Sequence, residues 1–150
     1  MKEGPLSTNI IFGDGKWREE RHSYTPNFNP AEEWHVYEMQ WAPDYVRWLV
    51  DGKEIRITTK WDRAIKYLDQ PQVLMMNLWL PNYEDWSAGF TEDKMPWEAE
   101  YDYVETYVYN KKTKNFDLHW RDDFDYFDEG KWVKSDNMGF TDNGVTFFAQ

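Results

Sequence analysis

The sequence predicts an all-β sandwich, and three observations carry that prediction. Short runs of alternating apolar residues recur from LSTNIIF near the start to VTFFAQ at the end. Turn signals such as Gly13-Asp14-Gly15, Pro43-Asp44 and Asp51-Gly52 separate them. Helical periodicity shows only around Trp61, Ala64, Ile65 and Leu68. Many short strands with almost no helix pack as two sheets face to face. Sandwiches of this kind commonly run to about 200–250 residues, so a chain of 150 is expected to be an incomplete one. The expectation is a single domain over residues 1–150.

Leu6 to Phe12 reads as the first strand, ended by the Gly-Asp-Gly turn. Lys16 to Glu33 is polar and holds Pro26, Asn27, Asn29 and Pro30, so a surface loop is expected there. Trp34 to Trp41 alternates as a strand. Tyr45 to Val50 and Lys53 to Thr59, joined by Asp51-Gly52, make the strongest local signal, a two-residue hairpin. A brief helix over Trp61 to Leu68 precedes a central strand from Val73 to Trp79. Trp97 to Tyr109 is a long Tyr-rich strand region, and Asn110 to Asn115 (NKKTKN) a tight connection. Phe116 to Trp120 and Trp132 to Lys134 read as two strands across the acidic loop RDDFDYFDEG, and VTFFAQ is the last.

Composition narrows the function. Aromatic residues reach 19%, with ten Trp and ten Tyr, more than an ordinary core needs. Such a surplus serves binding surfaces, where large rings with polar tips do most of the contacting. A net charge of −11 disfavours nucleic acid and anionic membranes and fits a neutral partner. Cysteine is absent, so there is no disulfide framework, thiol nucleophile or Cys metal site. No apolar run approaches a membrane span, and MKEGPLSTN is not a signal peptide. Either the protein is intracellular or an export signal lies outside this chain.

The stretch VLMMNLWLPNYEDW holds the best binding signal. With period two, Val73, Met75, Asn77 and Trp79 share one face, and Leu74, Met76 and Leu78 share the other, which reads as core. An amide beside indoles suits a sugar: the rings stack on apolar C–H patches and the amide exchanges hydrogen bonds with hydroxyls. A buried strand with one satisfied Asn is the alternative.

Other chemistry is sparse. His22, His35 and His119 lack metal-ligand spacing and read as structural or surface residues. Asp122, Asp123, Asp125 and Asp128 alternate in a calcium-like way but lack the Gly and terminal Glu of an EF-hand, so a solvated acidic turn competes with a cation loop. Glu100, Asp102 and Glu105 are the catalytic candidates, because retaining glycosidases need two carboxyl groups about 5–5.5 Å apart. A regular strand, however, puts Glu105 on the face opposite Glu100 and Asp102; only a bulge would gather all three.

Several of these runs resemble family 16 glycoside hydrolases, and within them the licheninases, endo-β-1,3-1,4-glucanases with a jelly-roll (concanavalin-like) sandwich. MMNLW, the following DW, and EAEYDYV are similar to that family's C-terminal half, covering residues 1–109 together with LSTNIIFGDG and the hairpin WHVYEMQWAPDYVRWLVDGKEIRITT. FDLHWRDDFDYFDEGKWVKSDN, within 116–150, resembles the family's N-terminal segment, yet it follows through NKKTKN. That order implies a circularly permuted licheninase, and close-lying sandwich termini joined by a short polar loop allow it.

The resemblance implies site residues and an absence. Asn9, Asn77, Trp79, Trp86 and Lys134 match positions that hold the glucan, and Asn137 stands where a permuted licheninase has a stacking Trp. Asp102 matches a side-chain ligand of the family's structural calcium and Asp123 a backbone-carbonyl ligand, with the third ligand expected beyond Gln150. The catalytic W-x-E-x-D-x-E motif is expected upstream of Met1, and EYDYVE corresponds to a late strand instead. The implied function is therefore the groove-bearing part of a secreted, retaining β-glucanase, inactive alone. A non-catalytic β-glucan-binding protein and one half of a split enzyme, completed by a second chain, are the alternatives.

Overall fold

The structure, a computed structural model, describes residues 6–13, 18–78, 98–135 and 145–149. It is built of β-strands with a single short helical turn among the described residues. They fall into two compact units, Met1–Gln70 and Pro71–Gln150.

In the first unit, β1 (Leu6–Phe12) pairs antiparallel with β2 (Arg18–Tyr24), from Leu6 opposite Tyr24 to Phe12 opposite Arg18. β2 lies where a loop was expected. Its sequence, REERHSY, is charged on both faces and has no apolar alternation, so the ladder with β1 forms it. The side chain of Arg56 fastens it from below, donating from Nη1 to the Thr8 carbonyl (2.9 Å) and hydroxyl (3.1 Å), and from Nη2 to the Glu20 carbonyl (2.9 Å).

A second sheet has the order β3–β4–β5, with β3 at Tyr37–Ala42, β4 at Tyr45–Val50 and β5 at Lys53–Thr59. β4 and β5 match the expected hairpin. Asp51 (φ 49°) and Gly52 (φ 74°) both sit in the left-handed region, as the tight hairpin turn demands. β3 starts later than expected, because the preceding residues anchor that turn instead. His35 Nδ1 meets Asp51 Oδ2 at 2.8 Å, and the Val36 amide donates to Asp51 Oδ1 at 2.9 Å. The His35 ring, its side chain 8% exposed, stacks on Phe28 at 3.9 Å. This histidine is structural, as its spacing implied.

The core of this unit is the alternate set from each strand. Ile10, Val46, Ala64 and Ile65 are buried together, with Phe12, Trp41, Trp48 and Leu68 packed against them. Ala64–Tyr67 forms a 3-10 turn where a brief helix was expected, and it presents Ala64 and Ile65 to that core.

In the second unit, β7 (Val104–Asn110) and β8 (Asn115–Asp122) form an antiparallel hairpin across the expected tight connection. The Asn110 side chain closes it, accepting from the amides of Lys112 (3.0 Å) and Thr113 (3.2 Å). Residues 98–103 carry no strand, so the long region expected from Trp97 shortens to β7. The pairing shifts between Thr106 and Tyr107, leaving His119 without an opposite residue. That bulge turns Trp120 to one face and Phe116 and Leu118 to the other. Trp120 and Phe124 then surround Trp132, whose rings stand 6.0 and 5.5 Å away. Trp132 is 2% exposed, and its Nε1 donates to Asp122 Oδ2 at 2.7 Å.

The remaining strands, β6 (Met75–Leu78), β9 (Trp132–Ser135) and β10 (Val145–Ala149), form a sheet in the order β6–β10–β9. The central strand is thus a sheet edge among the described residues, and this corrects the expectation that Leu74, Met76 and Leu78 are core. Only Met76 is half-buried; Leu74 and Leu78 are 38% and 44% exposed. Alternation sorts side chains to two faces, but burial needs a second layer over one of them.

Candidate functional site

On β1, Thr8 and Ile10 point into the core, so the residues between them face outward. Asn9 lies on this outward face with Ser7 and Ile11, the last 51% exposed. The register sets Arg21 opposite Asn9 and Glu19 opposite Ile11. Asn9 Nδ2 donates to Glu19 Oε2 at 2.8 Å, and Arg21 Nη2 donates to the same carboxylate at 3.2 Å. The amide donor, followed by the Arg21 charge, holds the Glu19 carboxyl below its ordinary pKa. With its nitrogen anchored, Asn9 leaves its Oδ1 buried and without a partner. Glu19 and Arg21 escape sequence reading because β2 itself does; a hairpin through Gly13-Asp14-Gly15 was the available signal.

Asn77 is exposed on β6, opposite Thr146 of β10. Lys134 is exposed on β9, with Nζ 5.1 Å from the centre of the Phe127 ring. The register through β10 aligns Asn77 with Thr146 and Ser135, and Met76 with Phe147 and Lys134. Directly opposed residues share a face, so Asn77 and Lys134 leave opposite faces of this sheet. Trp79, Trp86 and Asn137 lie outside the described residues.

Of the catalytic candidates, Glu105 is engaged. Glu105 accepts from the Tyr107 hydroxyl at 2.7 Å and from Arg121 Nη1 at 2.8 Å, and these two, the tyrosine first, hold it below its ordinary pKa. Arg121 also lies 3.9 Å over the Tyr103 ring and 2.6 Å from Asp123 Oδ1. A carboxylate so fixed as an acceptor is poorly placed to carry a proton or attack a sugar. Glu100 and Asp102 are exposed in the stretch before β7.

The acidic loop shows the same economy. Asp122 accepts from the Trp132 indole and the Phe124 amide, which lower its pKa in that order. Asp128 Oδ1 accepts from the Gly130 amide at 2.9 Å, and Lys131 lies 3.4 Å from its Oδ2. These groups close turns, and among the described residues no three His, Asp or Glu side chains converge on a common point. Asp123, whose backbone carbonyl was the expected calcium ligand, has its carboxylate on Arg121, and Asp102 stands exposed. These two residues alone do not make a cation site; a further ligand is needed.

A model of the glycosyl hydrolases family 16 matches residues 2–105. A β-glucanase of Fibrobacter succinogenes is 35% identical over 140 residues, covering 89% of this chain and 39% of that protein. A β-glucanase of Acetivibrio thermocellus is 36% identical over 80 residues, 53% of this chain and 22% of that protein. The xyloglucan endotransglucosylase/hydrolase protein 3 of Arabidopsis thaliana is 30% identical over 92 residues, 61% and 30% respectively. The chain therefore spans less than half the length of these relatives.

Proposed function

The chain belongs to the glycosyl hydrolases family 16, and from that premise we propose that it is the groove-bearing part of a retaining endo-β-glucanase acting on mixed-linkage β-glucan. The observation that carries this reading is the match running along 89% of the chain to a protein named as a β-glucanase. By their family positions, Asn9 in the first unit and, separately, Asn77, Trp79 and Trp86 in the second are the proposed sugar contacts. Lys134, on the other face of its sheet from Asn77, is proposed as a contact only if the glucan reaches that face. The complete protein would cleave with retention, through a glycosyl-enzyme intermediate formed by a carboxylate nucleophile. The two catalytic carboxyl groups lie upstream of Met1 in this reading, which the engagement of Glu105 by Tyr107 and Arg121 favours.

The family match ends at residue 105, whereas the Fibrobacter alignment extends over 140 residues. That difference supports a permuted order, with residues 116–150 as the family's N-terminal segment. Asp102 and the Asp123 carbonyl are proposed as part of a structural calcium site completed by a ligand beyond Gln150. Export is proposed with the family role; among the described residues no helix is long and apolar enough to cross a membrane.

The test is direct. The purified chain is expected to bind lichenan in affinity electrophoresis, to lose binding on Trp79→Ala or Asn9→Ala, and to release no reducing sugar. Hydrolysis by this chain alone would overturn the placement of the catalytic pair and return attention to Glu100 and Glu105. Binding by the full-length protein without hydrolysis would support the alternative, a non-catalytic glucan-binding protein.

A further inference from the structure

Trp61 stands in water on a turn that is fixed at both ends. It is 84% exposed, the most exposed large apolar side chain among the described residues. Its turn leaves β5 at the end of the sheet away from Asp51-Gly52. The Asp62 carboxylate closes that turn, accepting from the Thr59 amide at 2.7 Å and the Thr59 hydroxyl at 3.1 Å. The Asp62 amide donates to the Thr59 carbonyl at 2.8 Å, and the Lys60 amide to the Asp44 carbonyl at 2.7 Å, which ties the turn to the one between β3 and β4. On the far side of the ring, Ala64 and Ile65 are buried in the core of the unit. Single apolar side chains are ordinary on a protein surface. One mounted on so fixed a turn is preorganised for contact, because little freedom is left to lose on binding.

Charged groups flank the ring. Lys60 Nζ lies over it, 5.5 Å from the ring centre, and 3.9 Å from Asp44 Oδ1. Asp62, Arg63 and Lys66 are exposed beside them. A protein partner needs a patch of some hundreds of Å² with an apolar centre, and one ring among charges does not supply it. Nucleic acid would meet a chain of net charge −11. A neutral sugar asks for what is present. The indole face takes an apolar C–H patch, the ammonium donates to hydroxyls and the Asp44 carboxylate accepts from them.

We propose that Trp61, with Lys60 and Asp44, is a second docking point for β-glucan, distinct from the contacts assigned by family position. The ligand class rests on the glucan reading above; the platform geometry does not. A polymer held at two points gains from the effective concentration that the first contact gives the second. Trp61 therefore serves long glucan chains, and it adds nothing to an oligosaccharide too short to reach both points.

The probe is lichenan, in affinity electrophoresis of this chain and of the full-length protein, with the Trp61 Nε1–H signal followed by NMR in the isotope-labelled chain. Trp61→Ala is expected to weaken lichenan binding about tenfold and to leave Tm unchanged, since the ring is 84% exposed. Trp61→Tyr, which keeps a ring to stack on, is expected to stay within about threefold of the parent. Lichenan is expected to shift the Trp61 signal. The proposal is overturned if Trp61→Ala binds as tightly as its parent in either protein; in the full-length protein that result would mark the ring as covered by further polypeptide. It is also overturned if Trp61→Tyr loses as much as Trp61→Ala, or if the Trp61 signal moves with chain concentration instead of lichenan, which would mark a second copy. Two further outcomes separate this proposal from the groove. Lichenan that shifts other indole signals but not that of Trp61 overturns the docking point alone. Lichenan that shifts Trp61, and binds Asn9→Ala and Trp79→Ala as tightly as the parent, supports the docking point and overturns the groove. Failure of both proteins to bind lichenan overturns both.

Discussion

Arg56 is the side chain that joins β5 to the β1–β2 sheet, and its replacement by Met tests how that sheet is held. Met keeps the apolar stem but removes the guanidinium. Lost with it are the bonds to the Thr8 and Glu20 carbonyls, both at 2.9 Å, and the stacking over Trp48, where the guanidinium carbon lies 4.4 Å from the ring centre. Two net hydrogen bonds at about 1 kcal/mol each and a partly desolvated cation–π contact at about 1 kcal/mol sum to roughly 3 kcal/mol. For a chain of this size each kcal/mol shifts Tm by about 2–4 °C, so Arg56→Met is expected to lower Tm by about 6–12 °C. Arg56→Lys, which keeps one charge without the two-carbonyl fork, is expected to lose about half of that. Thermal unfolding followed by Trp fluorescence gives the numbers, and amide exchange locates the effect, which should fall first on β2. A Met variant within about 0.5 kcal/mol of the parent would refute the reasoning and leave the β1–β2 ladder as sufficient to form β2.

Three further outcomes are expected. Trp132→Phe removes the indole donor to Asp122 and should cost about 1–3 kcal/mol in urea unfolding, while the Asp122 carboxyl, now held below its ordinary range, should titrate higher by NMR; an unchanged titration would dismiss the bond. The Asp51 carboxyl is held below its ordinary value of 3.8, first by the bond from His35 and then by the Val36 amide. A depressed folded pKa gives stability that is full above the unfolded value and is lost as pH falls through the folded one. Unfolding midpoints should therefore drop from about pH 4 downward, and Asp51→Asn should flatten that part of the profile. Leu74→Ser, at a side chain 38% exposed, should change stability by less than about 0.5 kcal/mol; a loss above about 2 kcal/mol would restore Leu74 to the core.

How much of this was legible depends on whether the signal was local. The bounds and turn of the β4–β5 hairpin are legible to the residue, because Asp51-Gly52 carries its own backbone preference; the register shift at Trp48 and Leu49, which leaves Ile55 without an opposite residue, is not. β2 is not, because REERHSY has no apolar alternation and only one strong strand former, Tyr24; β1 and the reach of Arg56 impose it from elsewhere in the sequence. Phe116, Leu118 and Trp120 share a face by period two, yet the bulge at His119 separates them. A one-residue bulge leaves no mark in composition and reverses every side chain beyond it.

The site follows the same division. Its amides were named from the sequence, and the structure shows Asn9 of β1 bonded to Glu19 and Asn77 of β6 exposed. Its electrostatics were not, because they come from the unread strand: Glu19 and Arg21 reach Asn9 only through the β1–β2 register. The consequence is specific. Glu19 takes the Asn9 nitrogen while the Asn9 oxygen is buried, so this amide must be released from Glu19 before it can meet a ligand. Glu19→Ala tests that: with the nitrogen freed, lichenan binding should strengthen, whereas Asn9→Ala should weaken it, with Tm nearly unchanged because the Glu19 side chain is exposed. Binding by Glu19→Ala equal to that of the parent chain would show that the Asn9 amide does not meet the sugar.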